Sequence, residues 1–350
     1  MTPVLQLSAL RGPILNGSAM RTGEEPPSAP RCIAQGALAF PAMLPGVNRY
    51  KERQLPCRRV AKSDRARPAD ESPDVASGTT HVFQVGDQRL SYEVHGEGPR
   101  VLVYLHGLLL DARMNRAIAK RLAADGNRVV LLDLPGHGRS GRPKHASAHR
   151  MDSYARFVVD LLDELDVEQA VVGGVSLGAN VSLQVATRVP ERVRGLVLEM
   201  PVLEWATPGA AMVFLPMLIG LHYAAPIARV VSRLTRLLPE TGFGPIDSFI
   251  GIAQMDPEES AAVLHGMLLG PIAPTYEERF GIDVPTLVIG HRNDFIHPFS
   301  DASNLVRQVP ASQLLEASSI VELRLRPERL TAEISSFLDH CWSARLRRHA

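Results

Sequence analysis

Residues 81–87 and 89–95 alternate apolar and polar positions on either side of Gly86-Asp87-Gln88. A period of two predicts half-covered strands, and the turn residues between them predict a hairpin. The pattern then changes. Residues 101–105, 129–132, 170–175, 195–198 and 286–289 are apolar runs with almost no alternation, and 313–316 follows in the same style. Such runs suit strands buried on both faces. Amphipathic segments at 115–124 and 151–165 separate the earlier ones and predict helices. Strands alternating with helices imply parallel βαβ units with right-handed crossovers, hence an α/β fold with a mostly parallel sheet of about eight strands.

Two regions break this rhythm. About 85 residues separate the strand ending near Glu199 from the one starting at Thr286, far too many for a single crossover. The segment predicts helix over 210–238 and again over 257–269, and is expected to form a helical cap inserted at about 201–280. Residues 208–228 carry no charge and approach the length of a membrane span. They also contain Pro216, Gly220, His222 and Pro226 and sit inside an insertion, so a lid over an apolar pocket is expected and a stable span is not. Met212, Phe214, Met217, Leu218, Leu221 and Tyr223 are its candidate lining, followed by Met267 and Leu268. At the other end of the chain, residues 1–78 are rich in Pro, Arg, Ser and Gly without any period, and are expected to be a disordered extension ahead of a domain over 79–345.

Composition narrows the function classes. An apolar share of 45% supports a large core. Lys plus Arg is 38 against 37 Asp plus Glu, with no basic stripe, so no nucleic-acid partner is expected. Cys32, Cys57 and Cys341 are odd in number and lack metal-ligand spacing, which fits a reduced, cytoplasmic chain. With no Walker loop or His/Cys cluster, neither cofactor nor metal is expected.

The sharpest chemical signal is Gly174-Val175-Ser176-Leu177-Gly178, between an apolar strand and a helical stretch. A serine on a strand-to-helix turn projects its hydroxyl at a helix N-terminus, where the dipole favours developing negative charge. His106-Gly107-Leu108 follows the strand at 101–105, and Asp133-Leu134-Pro135-Gly136-His137-Gly138-Arg139-Ser140 the strand at 129–132. Together these motifs resemble the α/β-hydrolase superfamily over about residues 81–338. The resemblance implies Ser176 as nucleophile, with the backbone amides of Leu177 and Leu108 as oxyanion donors. It implies an acid after the seventh strand, which Asp294 in Gly290-His291-Arg292-Asn293-Asp294 matches. His137 reads as structural.

The base departs from the family pattern. The resemblance places a histidine near Ile320, before Pro327-Glu328, yet no histidine occurs between His297 and His340. Two readings follow. In one, His297 is a relocated base, oriented by Asp294 or by Glu199, since the run from Glu199 to Trp205 resembles haloalkane dehalogenases that take their acid from the sixth strand. In the other, the chain keeps the fold as a catalytically impaired binding protein. The first is preferred: a serine hydrolase acting on a small apolar ester or related acyl compound through an acyl-Ser176 intermediate.

Overall fold

The structure, a computed structural model, describes residues 78–343. The expectation of disorder over 1–78 therefore lies, apart from Gly78, outside the described residues. Eight strands form one sheet: β1 (Thr79–Val85), β2 (Gln88–His95), β3 (Val101–Leu105), β4 (Arg128–Asp133), β5 (Ala170–Val175), β6 (Val193–Glu199), β7 (Thr286–His291) and β8 (Ser312–Ala317). Their spatial order is β1-β2-β4-β3-β5-β6-β7-β8. The β1–β2 hairpin and the β2–β4 pair are antiparallel, and every other pair is parallel. The order puts β5 between β3 and β6, so the loops after all three open at the same edge of the sheet.

Six helices associate with the sheet or its loops: α1 (Arg116–Ala124), α2 (Met151–Glu164) and α3 (Leu177–Arg188), then, after β7, α9 (Phe299–Gln308), α10 (Glu322–Leu325) and α11 (Glu328–Ser343). Alternate residues of β3 show why its apolar run is continuous. Val101, Val103 and Leu105 join a core shared with α2, α3 and α9, while Leu102 and Tyr104 join one shared with α1 and α11. A strand covered on both faces has no polar side to display.

Between β6 and β7 lie α4 (Thr207–Tyr223), α5 (Ala225–Thr235), α6 (Gly244–Gln254), α7 (Pro257–Leu269) and α8 (Tyr276–Phe280). Residues 210–238, expected as one helical stretch, are instead two helices that meet at 97°. Pro226 lies in the first turn of α5, where its fixed φ and missing N–H are tolerated at a helix start but not in a helix interior. The α6 helix was not anticipated, because its opening Gly244-Pro245 reads as a breaker. Among the described residues no single helix is long and apolar enough to cross a membrane.

Both ends of this helical segment are tied to the sheet domain by buried polar groups. The Asn180 amide on α3 donates to the Val202 and Ile272 carbonyls (2.6 and 2.8 Å), and its oxygen accepts from Val202 N (3.0 Å). Asp301 on α9 accepts from the amides of Leu203, Trp205 and Ala206 at 2.8–3.1 Å. Arg279 donates to Glu204 (2.6 Å), Gln308 (2.6 Å) and the Pro274 carbonyl (2.8 Å). Without these bonds the buried backbone groups at both ends would lack partners.

Glu93 links β2 to the start of α1 and supplies a pH test. Burial acts to raise its pKa. Hydrogen bonds and charge from Arg116, with His95 Nε2 3.5 Å from the carboxylate, outweigh burial and bring the carboxyl down from 4.5 to about 2. A depressed folded pKa stabilises above the unfolded value and is lost as pH falls through the folded one. The shift corresponds to about 3 kcal/mol. Urea denaturation of Glu93→Gln should give lower stability at neutral pH and a shallower fall between pH 4.5 and 2 than the parent chain; an unchanged acid limb would refute the assignment.

Candidate active site

Ser176 occupies the single residue between β5 and α3, with φ 53° and ψ −108°. That positive φ is costly for a residue with a side chain, and it persists because its surroundings hold it. Ser176 N donates to the Glu199 carbonyl (2.8 Å), and Ser176 O accepts from Asn180 N (3.0 Å). A Cβ at Gly174 or at Gly178 would stand 2.6 Å from the Leu105 carbonyl oxygen. Both glycines are therefore needed for β5 and α3 to press against the end of β3. The turn lifts the Ser176 side chain to the loop edge of the sheet.

The loop from β7 to α9 carries Asp294 and His297. Asp294 Oδ1 accepts from the backbone amides of Ile296 and His297, both at 2.9 Å. Its Oδ2 lies 2.9 Å from His297 Nδ1, and His297 Nε2 lies 2.9 Å from Ser176 Oγ. An ionised carboxylate only accepts, so Nδ1 bears the proton and Nε2 is the acceptor for the serine hydroxyl. Both side chains are largely enclosed, with 15% of His297 and 8% of Asp294 exposed. Burial pushes the Asp294 pKa up, but the His297 hydrogen bond and charge and the two amides outweigh it, so the carboxyl lies below its ordinary value.

Leu177 is the first residue of α3, where helix geometry provides no intrahelical acceptor for its amide. Leu108 lies in the turn after β3, closed by Leu110 N donating to the Gly107 carbonyl (3.1 Å). A Cβ on Gly107 would be 3.9 Å from the Val175 carbonyl, which sets this turn beside the serine. His106 holds the turn from beneath: Nδ1 donates to the Gly107 carbonyl (2.8 Å) and Nε2 accepts from Leu134 N (3.1 Å). Burial lowers its pKa, which keeps the ring neutral in this role. His137 is likewise buried, with Nδ1 3.0 Å from the Pro135 carbonyl.

An apolar cluster adjoins the turn. Phe214, Met217, Leu218 and Leu221 of α4 pack with Leu108 and Leu109 and with Val263 and Leu264 of α7. Met212 and Tyr223, expected in the same lining, are exposed instead, as is Leu268, whereas Met267 belongs to the sheet core. The helix turns only part of its apolar surface inward, a distinction that its charge-free sequence does not encode.

Glu199 does not join Asp294 and His297. Its carboxylate accepts from Tyr104 Oη (2.8 Å) and pairs with Arg324 of α10, whose other nitrogen donates to Asn115 (2.9 Å). Burial raises the Tyr104 pKa well above the ordinary value, and the Glu199 charge adds to it, so the phenol stays a donor. Arg324 thus lies in the stretch where a histidine was sought, and Ile320 is exposed. Arg324, Asn180 and Asp301 had no sequence signal, because each acts on partners remote along the chain.

A cavity of about 390 Å³, lined by Glu93, Asp111, Arg113, Arg116, Asp133 and Arg139 among others, does not include Ser176, His297 or Asp294. Its main charges are paired internally, Arg113 with Asp111 and Arg116 with Glu93. Among the described residues no group of three or more His, Cys, Asp or Glu is placed to hold a metal ion.

The family model of the alpha/beta hydrolase fold matches residues 100–219. A protein of Mycobacterium phage D29 named "Putative non-heme haloperoxidase" is 39% identical over 97 residues, 28% of this chain and 34% of that protein. The matched part is thus about a third of that relative's length. A protein of Azorhizobium caulinodans named "Putative carbamate hydrolase RutD" is 30% identical over 240 residues, 66% of this chain and 87% of that protein. Among solved structures, a bacterial membrane phospholipase A superposes with TM-score 0.63 at 21% identity, covering 77% of this chain and 88% of that one; at this identity the likeness speaks for the fold.

The Glu199–Arg324 pair can be tested apart from any activity. Arg324→Met would leave a buried carboxylate unpaired, at a cost of about 3–5 kcal/mol. Adding Glu199→Gln should recover part of that loss in chemical denaturation. A double variant no more stable than Arg324→Met would contradict this reading of the pair.

Proposed function

This chain belongs to the α/β-hydrolase fold superfamily, and on that premise we propose that it is a serine hydrolase cleaving a carboxylic ester or related acyl bond. The observation that carries the reading is the continuous relay Ser176–His297–Asp294, with two contacts of 2.9 Å. In the proposed mechanism Ser176 Oγ attacks the acyl carbon while His297 Nε2 takes the hydroxyl proton. Asp294 keeps the ring in the required tautomer and stabilises the imidazolium. The amides of Leu108 and Leu177 hold the oxyanion, a contribution of about 3–4 kcal/mol per donor in comparable sites. His297 then gives the proton to the leaving oxygen or nitrogen. A water attacks the acyl-Ser176 ester by the same route in reverse, releasing the acid and free enzyme.

Asp294 is the orienting acid in this scheme, rather than Glu199, because the Glu199 carboxylate is already engaged by Tyr104 and Arg324. The inward apolar side of α4 supports a substrate with an apolar group. The helices between β6 and β7 act as its cap. The name of one relative, a putative carbamate hydrolase, agrees with acyl-bond hydrolysis without fixing the substrate.

A fluorophosphonate probe should label the intact chain, and Ser176→Ala should abolish both labelling and p-nitrophenyl ester turnover. His297→Ala should lower kcat by several orders of magnitude. Asp294→Asn should cost about 10⁴-fold by favouring the wrong tautomer. No labelling of the folded protein would leave a binding protein of this fold, and full activity in His297→Ala would remove that residue as base.

A further inference from the structure

Helices α4 and α5 keep most of their apolar surface outside the fold. Of the α4 residues only Leu218 is buried, and of the α5 residues only Ser232. Leu215 and Ile219 on α4 are half exposed, and Ile227 (68% exposed) and Leu234 (61%) on α5 and Leu237 (79%) just beyond it are mostly exposed. Exposed apolar surface on this scale marks an interaction site. The charge pattern is equally one-sided. No Asp or Glu occurs between Glu204 and Glu240, while Arg229, Arg233 and Arg236 recur at helical spacing along α5 and its end. Arg229 is paired with Glu258 of α7 (2.6 Å) and Arg236 donates to the Gln254 carbonyl (2.8 Å), so the charge available to a partner rests on Arg233 and Arg236. Trp205 before α4 and Tyr223 at its end are both exposed, and such rings favour a water–hydrocarbon boundary.

We propose that this outer face of α4 and α5 docks on the surface of an anionic lipid bilayer. An amphipathic helix with an apolar side and arginines lies in the interface plane, gaining apolar burial together with attraction to headgroups. A span is disfavoured by the geometry: α4 and α5 meet at 97°, and the segment leaves from β6 and returns to β7 of one sheet. A second copy of the chain fits less well. A two-fold interface sets the same patch against itself, and α4 and α5 carry no acid of their own to pair Arg233 or Arg236. Docking is independent of the hydrolase reading, since it uses no residue of the relay.

Flotation of the full chain with vesicles tests the proposal. The chain should float with phosphatidylcholine–phosphatidylglycerol vesicles, less with phosphatidylcholine alone, and less at raised salt. Ile227→Glu with Leu234→Glu should weaken binding by about tenfold or more. Arg233→Glu should cost about fivefold or more on anionic vesicles only. Unchanged thermal unfolding and fluorophosphonate labelling of these variants would show that the fold is intact. No flotation of the parent chain, or flotation indifferent to the substitutions, overturns the proposal. So does a concentration-dependent dimer, dissolved by the double substitution, in a chain that does not float. A chain that floats but is not labelled keeps the docking and loses the hydrolase reading.

Discussion

A single residue turning the chain from β5 into α3 with φ 53° is the constraint on which the site rests. The turn can be that short only if nothing fills the space beside Leu105, and Gly174 and Gly178 leave that space open. It stays strained because Ser176 N is held by the end of β6 and Ser176 O by α3. The consequences are directional. The hydroxyl stands clear of the sheet, the Leu177 amide begins a helix without an acceptor, and the β3 loop lies alongside. The β7 loop needs only to reach across from β6's far neighbour for His297 to meet the serine. The strain is local, and its support comes from three strands and a helix.

The resemblance and the strand pattern made most of the sheet legible, because continuous burial writes itself as continuous apolarity. The serine turn and Asp294 could be located for a similar reason: each is tied to a strand end. His297 could be named only as one of two readings. Its distance of three residues from Asp294 suggested a pair, but contact with Ser176, 121 positions away, is a property of the sheet order. Glu199 stood on sequence grounds as the second candidate for the acid. What separates them is Arg324, and no local pattern identifies an arginine on a four-residue helix as the partner of a strand-end carboxylate. The break at Ala224 was missed because an uninterrupted apolar composition gives no sign of a bend.

In the proposed relay base and acid share one loop, which changes how the relay is held. A histidine from another loop would meet its acid through the side chain alone. Here the Asp294 carboxylate accepts two backbone amides of its own loop, one of them from His297 itself. The bonds that fix the loop also fix the ring, so acid and base are positioned as one unit before the serine is met. This leaves the stretch after β8 free of that duty. Its short helix supplies Arg324 to a buried cluster of Glu199, Tyr104 and Asn115, under the end of β6 that holds Ser176 N. A charge pair stabilises a buried position poorly by itself, but it defines a geometry sharply. Its place at the end of β6 suits the second role.

The segment between β6 and β7 combines two opposite solutions to the same difficulty. Its ends enter the sheet domain as irregular backbone, and there backbone groups of Val202, Leu203, Trp205, Ala206, Ile272 and Pro274 are met by Asn180, Asp301 or Arg279. Its middle is mostly regular helix, with side-chain bonds to backbone gathered at the turns, as where Asp247 accepts from the amides of Thr241 and Gly242. That middle is free to carry apolar side chains on both sides: inward against Leu108 and Leu109, outward to whatever lies beyond the chain. Outward apolar residues contribute less to holding the segment in place, since they keep much of their surface in water in the isolated fold. The stability of this structure therefore accounts for only part of their placement, and in the proposed docking it is Arg233 and Arg236 beside them, with no acid between Glu204 and Glu240, that give the outer face its preference for an anionic surface.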